Sequence, residues 1–340
     1  MSLSSILVEI SRGDLTESIH RGNIAVCDHL GNLLYSAGNP YALTFMRSAA
    51  KPIQAIPLVE SGAADYFGLN EQEIAVTCGS HTGEEQHVKA VSSILEKIGL
   101  TADDLQCGTH RPLNRRVAKE MLACGAAQST LHNTCSGKHA GMLALCRYWN
   151  YPLKDYTSPE HPLQRLMLKT ISTFSGTEEK DIKIGIDGCG VPVFALPLAN
   201  IATAYARLAT GRGNNAALYE SSCKRVVQAI VNHPQMIGGE KIICTTLIKQ
   251  GRGKLLAKSG TEAVYCLAHL EKGIGCAFKI EDGAVRALAP TAIEILQQLC
   301  WLKEEDLAGL SSLHKPLLKN HSGTIIGCIT PHFCLSKNNC

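Results

Sequence analysis

Aromatic residues make up only 5% of the 340 positions, and no block of like charge interrupts the chain. Basic residues exceed acidic ones by only three, giving a formal net charge of +3. No basic stretch alternates with aromatic residues. A nucleic-acid partner would require such a charge footprint or a stacking platform, and that class is set aside. No apolar run reaches membrane-spanning length. The opening stretch, MSLSSILVEISRGDLTE, lacks the charged and long apolar segments of a secretion signal. A cytoplasmic location without a membrane partner is therefore expected. Internal repeats, low-complexity segments and long linkers are missing as well.

Cysteine is the exception, with 15 residues. The odd count, the length and the lack of an export signal argue against a disulfide scaffold. Most of these thiols are expected to be small buried hydrophobes in a reducing compartment. A hydrophobic content of 45% with mean hydropathy near zero describes a globular chain with a large core.

Residues 4–37 read as strands joined by turns, with ILVEISRG alternating and NIAVCDHLGNLLYSAG folding about Asp28–Asn32. The next hundred residues read mainly as helix. VKAVSSILEKIGL carries a helical stripe ending at Gly99, RRVAKEMLACG has the same character, and HAGMLALCRYWNY is an apolar helix starting near Lys138. LPLANIATAYARLAT is again helical, with GRGNN as its loop. After Pro234 come short apolar runs with β-branched residues, KIICTTLI, GKLLAKSG, AVYCLAHL and IGCAFKIEDG, which read as strands. ALAPTAIEILQQLCWL closes with a helix. Runs of each type predict an α+β fold: a mainly antiparallel sheet built from both chain ends, with helices packed on it and a helical region inserted between. The chain reads as a single unit, 1–340, divisible into an α/β part (about 1–45 and 180–335) and a helical part (about 46–179).

FMRSAAKPIQ places Ser48 and Lys51 one helical turn apart, with Pro52 confining them to the start of a helix. A serine becomes a nucleophile when a base takes its proton, and a lysine can be that base once its pKa is lowered. The bland reading, which this stretch taken alone favours, is that Ser48 caps a helix and Lys51 lies on the surface. In VTCGSHTGEEQH, Ser80 follows an apolar, strand-like run, IAVTCGS, between glycines that let backbone approach a ligand; its bland reading is a loop before a helix that Thr82 caps. LLAKSGTEAV sets Lys258 before Ser259 and Gly260 on a strand, the third element of serine-acylating, penicillin-recognising enzymes. The middle element departs from that plan, with Ser80-His81-Thr82 in place of Ser-Asp-Asn. HNTCSGKHAGM and GIDGCGVPV hold Cys135 and Cys189 in polar, glycine-rich surroundings. Two thiolates could hold zinc with His139 as the ordinary third ligand; Lys138 would first have to lose its proton. Free thiols in tight turns are the alternative. Asp187 could meet a substrate amine or serve a turn.

Together, FMRSAAKPIQ, CGSHTGE, NTCSGKHAGM, GIDGCGVPV and AKSGTEAVY resemble successive signatures of the Rhizobium-type, thermolabile L-asparaginase II family, the third structural class of L-asparaginases, over about residues 12–331. The resemblance implies hydrolysis of L-asparagine to L-aspartate and ammonia by two juxtaposed serine–lysine pairs, Ser48 with Lys51 and Ser80 with Lys258. It implies a zinc site of Cys135, Lys138 and Cys189, which replaces His139 as third ligand. It also implies a fold similar to serine β-lactamases and glutaminases, and a homodimer. On this reading Ser48 attacks, Ser80 and Lys258 relay protons, a backbone N–H near Ser48 or Ser80 meets the oxyanion, and Asp187, Arg47 and His139 contact the substrate. Lys51, Lys258 and zinc, crowded together, would lower lysine pKa values and favour an alkaline optimum. Two rivals stand beside it: another serine–lysine amidohydrolase, a glutaminase or β-lactamase-like enzyme, and a non-catalytic zinc or thiol protein. The tail PHFCLSKNNC lies outside the resemblance, with Cys334 and Cys340 expected at the surface.

Overall fold

The computed structural model describes residues 4–213 and 219–338; Asn214 and Asn215 of the GRGNN loop, and Cys340, lie outside them. Four strands come early: β1 (Ser5–Arg12), β2 (Leu15–Asp28), β3 (Leu33–Ala37) and β4 (Leu43–Phe45). Two follow the helical region, β5 (Lys183–Ile186) and β6 (Pro192–Pro197). Six come late: β7 (Leu255–Gly260), β8 (Val264–His269), β9 (Ile274–Ile280), β10 (Leu317–Lys319), β11 (Ile325–Pro331) and β12 (Ser336–Lys337).

The main sheet runs β10-β11-β1-β2-β9-β8-β7, with β3 and β12 paired beside β2. Every pairing in it is antiparallel. Strands from both chain ends thus interleave, and the expected α+β sheet is borne out. In β8, Val264–His269 is buried throughout, because the helix Leu198–Thr210 covers one face and Leu288–Gln298 packs from the other side. A strand covered on both faces loses the usual apolar-polar alternation, and VYCLAH shows that loss. A second sheet, β4-β6-β5, was not foreseen; it delivers the chain to Arg47 on one side and to Asp187 on the other.

Two expected strands are helices. KIICTTLI contributes to the helix Ile243–Gln250, which buries Cys244, Thr245, Leu247 and Ile248 against β7. Spacings of three and four put those residues on one face, and burial outweighs the weak helix propensity of Ile and Thr. IAVTCGS ends the helix Glu71–Thr77, whose start is set by a reciprocal Asn70–Glu73 capping box. The other expected helices are found as Glu85–Lys97, Arg115–Ala123, Ser136–Tyr148 and Leu198–Thr210.

Three segments meet above the β7 edge. The 3₁₀ turn Arg47–Ala50 runs into the short helix Lys51–Gln54 and lies against β7. That approach needs Gly260: a Cβ there would stand 2.8 Å from the Met46 carbonyl oxygen. The helix Ser136–Tyr148 lies on Glu71–Thr77 at similarly close range, and a Cβ on Gly137 would stand 2.3 Å from the Val76 carbonyl oxygen. The loop carrying Ser80 is fixed by the Ser80 N–H donating to Ile237 O (2.8 Å) and the Thr82 N–H to Gly238 O (2.8 Å). Among the described residues, no helix is long and apolar enough to cross a membrane, and all 14 described cysteines are free, most of them buried.

Candidate active site

Lys51 and Lys258 are each 1% exposed, and both point their amines at one hydroxyl. Lys51 Nζ donates to Ser80 Oγ at 3.0 Å, and Lys258 Nζ to the same oxygen at 3.0 Å. The remaining acceptors are main-chain carbonyls: Gly79 O (2.7 Å) and Thr134 O (3.2 Å) for Lys51, and Ser259 O (2.7 Å) for Lys258. Three acceptors match the three N–H bonds of an ammonium group, so Lys51 has none left for Ser48. Among the described residues no side-chain hydrogen bond joins Ser48 to Lys51; the Lys51 main-chain N–H donates to Ser48 O, while the amine is drawn to Ser80. Ser48 is half-buried.

Burial is the main force on Lys258. It disfavours the ammonium form and, helped by the Lys51 charge against the opposing influence of Cys244, brings the Lys258 pKa to about 8. Near that pH a lone pair is available beside Ser80. The Ser80 N–H itself is committed to Ile237 O and is not free to meet an oxyanion.

Arg47 adopts the left-handed region at φ 48°, unusual and strained for a residue with a side chain. Its guanidinium is held there by Asp187, with Nε–Oδ1 and Nη2–Oδ1 both at 2.9 Å. Asp187 also accepts the Gly188 N–H at 3.0 Å. The two residues, 140 positions apart, are therefore brought together where β4 and β5 of the small sheet end.

Cys135, Lys138 and Cys189 converge as well. Lys138 Nζ stands 3.1 Å from Cys189 Sγ. Its neighbour Cys189, assisted by Lys51 and Lys138 and opposed by burial, holds the Cys135 thiol well below its usual range. In reverse, Cys135 together with burial pushes Cys189 up. Burial works against the Lys138 charge, yet Cys135, Cys189 and Asp187 outweigh it and raise its pKa. Two sulfurs and one nitrogen are a donor set suited to zinc, which takes deprotonated ligands and leaves a fourth position open. Among the described residues no three His, Cys, Asp or Glu side chains form a metal cluster; three donors are reached only by counting Lys138. His139 is turned elsewhere, with Nδ1 2.7 Å from the Tyr156 hydroxyl, so it does not join this set.

Several neighbours escaped sequence reasoning. His81 is fully buried and bridges the two halves of the site: Nδ1 accepts the Gly83 N–H (3.2 Å) and Nε2 faces Ser136 Oγ (2.8 Å). Ser136 in turn donates to Leu131 O at 3.0 Å. Desolvation keeps His81 neutral, and with both nitrogens occupied it is a strut rather than a base. Tyr205 donates to Ala49 O (2.7 Å) and props the turn under Ser48. No local pattern marks these residues, because their partners are distant in the chain.

The L-asparaginase II family model matches residues 8–331. No curated protein matches the chain in sequence. Among solved structures, Mglu in its tris and glutamate form is 15% identical over 89% of this chain, at a TM-score of 0.38; the chain spans 63% of that protein's length. A protein from Bacteroides dorei DSM 17855 with a provisional beta-lactamase designation is 14% identical over 81% of this chain and 93% of its own, at a TM-score of 0.38.

Proposed function

The chain belongs to the L-asparaginase II family, and from that premise we propose that it hydrolyses L-asparagine to L-aspartate and ammonia through a serine acyl-enzyme. The observation that carries the reading is one serine oxygen held at 3.0 Å by each of two buried lysines. A structural role alone would not place two buried amines on a hydroxyl, given the cost of burying each charge. Such an array moves protons.

We assign attack to Ser48 and relay to Ser80. The Ser80 oxygen is engaged by both amines, whereas the Ser48 hydroxyl has no partner among the described residues. Substrate binding would draw Lys51 and Ser48 into hydrogen-bond range, as catalytic contacts tighten on binding. Lys51 first releases a proton through Ser80 to the free amine of Lys258, and the lone pair so exposed takes the Ser48 proton as Ser48 Oγ bonds to the side-chain amide carbon. The C–N bond breaks, ammonia leaves with the relayed proton, and water cleaves the β-aspartyl ester. The substrate amine would meet Asp187, with Arg47 and His139 in supporting contact. The two-amine geometry favours a second reading, in which Ser80 itself attacks with either lysine as base.

Cys135, Lys138 and Cys189 would hold one zinc ion per chain, which would supply Lewis acidity to an oxygen in the open position. On family grounds we also propose a homodimer.

The test is ammonia release from L-asparagine with L-glutamine in parallel, since one methylene alters only pocket depth. Turnover of asparagine with little of glutamine supports the reading; turnover of glutamine alone would replace it. Mass spectrometry of Ser48→Ala and Ser80→Ala after mixing with asparagine separates the serines. A trapped adduct in Ser48→Ala would transfer the nucleophile to Ser80.

A further inference from the structure

His139 is fully buried beside the sulfur cluster: its backbone N–H donates to Cys135 O at 3.0 Å, and Lys138 precedes it. Nδ1 lies 2.7 Å from the Tyr156 hydroxyl. That hydroxyl already accepts the Gln106 N–H at 2.9 Å. A phenol has one proton to give, and among the described residues the Tyr156 hydroxyl meets no acceptor except Nδ1. The proton therefore sits between Tyr156 and Nδ1, directed at the ring. A neutral imidazole that accepts at Nδ1 carries its own proton on Nε2. Were the ring protonated instead, Nε2 would still bear a hydrogen. In either case Nε2 is a donor, and it is buried without a partner. An orphaned buried N–H is costly until an acceptor arrives, and few native structures tolerate one without a functional reason.

We propose that Tyr156 is a positioning residue: by donating to His139 Nδ1 it keeps Nε2–H as the donor for an oxygen of an incoming carboxylate, the α-carboxylate of the amino-acid substrate. This rests on the asparagine reading above and adds to it the residue that sets the tautomer. The acceptor is an anion because cationic side chains converge here: Lys51 at Ser80, Lys138 at Cys189, and Arg47 at Asp187. Tyr156 itself is buried and 17 positions from His139, so it acts only through the ring.

The experiment has two arms. In protein labelled with ¹⁵N-histidine, long-range ¹H–¹⁵N spectra identify the signal lost in His139→Gln. The free wild-type enzyme should show a bare Nδ1 and a protonated Nε2 for that ring; the opposite tautomer would overturn the proposal. Tyr156→Phe, which keeps the ring and its packing, should average the two tautomers. In the kinetic arm, Tyr156→Phe should raise KM for L-asparagine by about tenfold with kcat nearly unchanged, the pattern of a lost ground-state contact to a charged group. In the His139→Gln background the same substitution should add nothing. An unchanged KM in Tyr156→Phe, or full additivity with His139→Gln, would refute the positioning role. The spectra need no turnover, so a protein inactive on asparagine would sink the functional reading while the tautomer still decides the part played by Tyr156.

Discussion

Replacing Lys258 by methionine should change both stability and rate. The folded amine has a pKa of about 8 against an ordinary 10.5. The unfolded chain therefore binds more protons between those values, and wild-type stability from this group rises with pH across that window. At about 1.4 kcal/mol per pH unit, the charged form is disfavoured by about 3 kcal/mol. Methionine removes that penalty below pH 8 but forfeits two hydrogen bonds, to Ser80 Oγ and Ser259 O, worth about 1 kcal/mol each. The variant should be more stable than wild type by about 1 kcal/mol at pH 6 and less stable by about 1 kcal/mol near pH 10, approaching about 2 kcal/mol once pH passes the ordinary lysine value of 10.5. Urea unfolding at a series of pH values measures the difference directly, because titrations elsewhere cancel. A difference that stays constant from pH 6 to 10 would show that Lys258 titrates normally, and the proposed relay would lose its base. Ammonia release should meanwhile fall by about 10²-fold or more.

For the wild-type enzyme, kcat/KM for asparagine should climb as pH rises toward about 8 and then level, as the free amine of Lys258 fills; a flat acid limb in a pH–rate profile would contradict this. Asp187→Asn should raise KM at least about tenfold by removing the partner of Arg47 and of the substrate amine, and steady-state kinetics would expose an unaffected KM. Metal analysis of protein prepared without added metal should give about one zinc per chain, falling to none in Cys189→Ser; equal zinc in both proteins would dismiss the S₂N set. Gly137→Ala should cost about 2 to 3 kcal/mol in urea unfolding, since its Cβ would press on the main chain of Val76; a change under about 0.5 kcal/mol would mean the helices part easily.

The parts of the fold that were legible from sequence were those with a clear period or a clear turn. The stripe of Val88, Val91, Ile94, Leu95 and Ile98 and the Gly99 stop produce the helix Glu85–Lys97, and Asp28–Asn32 turns β2 into β3. IAVTCGS and KIICTTLI failed because β-branched residues weigh toward strand in short windows while tertiary burial decides. The Asn70–Glu73 pair was a readable cap that the apolar run obscured. At the site, spacing along the chain could relate Ser48 to Lys51, but not show that both lysines reach Ser80 across 29 and 178 positions. The contact of Lys138 with Cys189, and of Arg47 with Asp187, is likewise a product of the two sheets rather than of local order.

The acceptors around the two amines have a bearing on how such a site can diverge. Of five hydrogen bonds made by Lys51 and Lys258, three end on the carbonyls of Gly79, Thr134 and Ser259. Substitution cannot delete a carbonyl; it can only reroute the chain that carries it. Selection at those positions therefore acts on backbone course, and drift is free wherever the course survives. Side-chain identity is demanded at only a few points, so a chain of this kind can keep its site with a set of short strings separated by long stretches free to change.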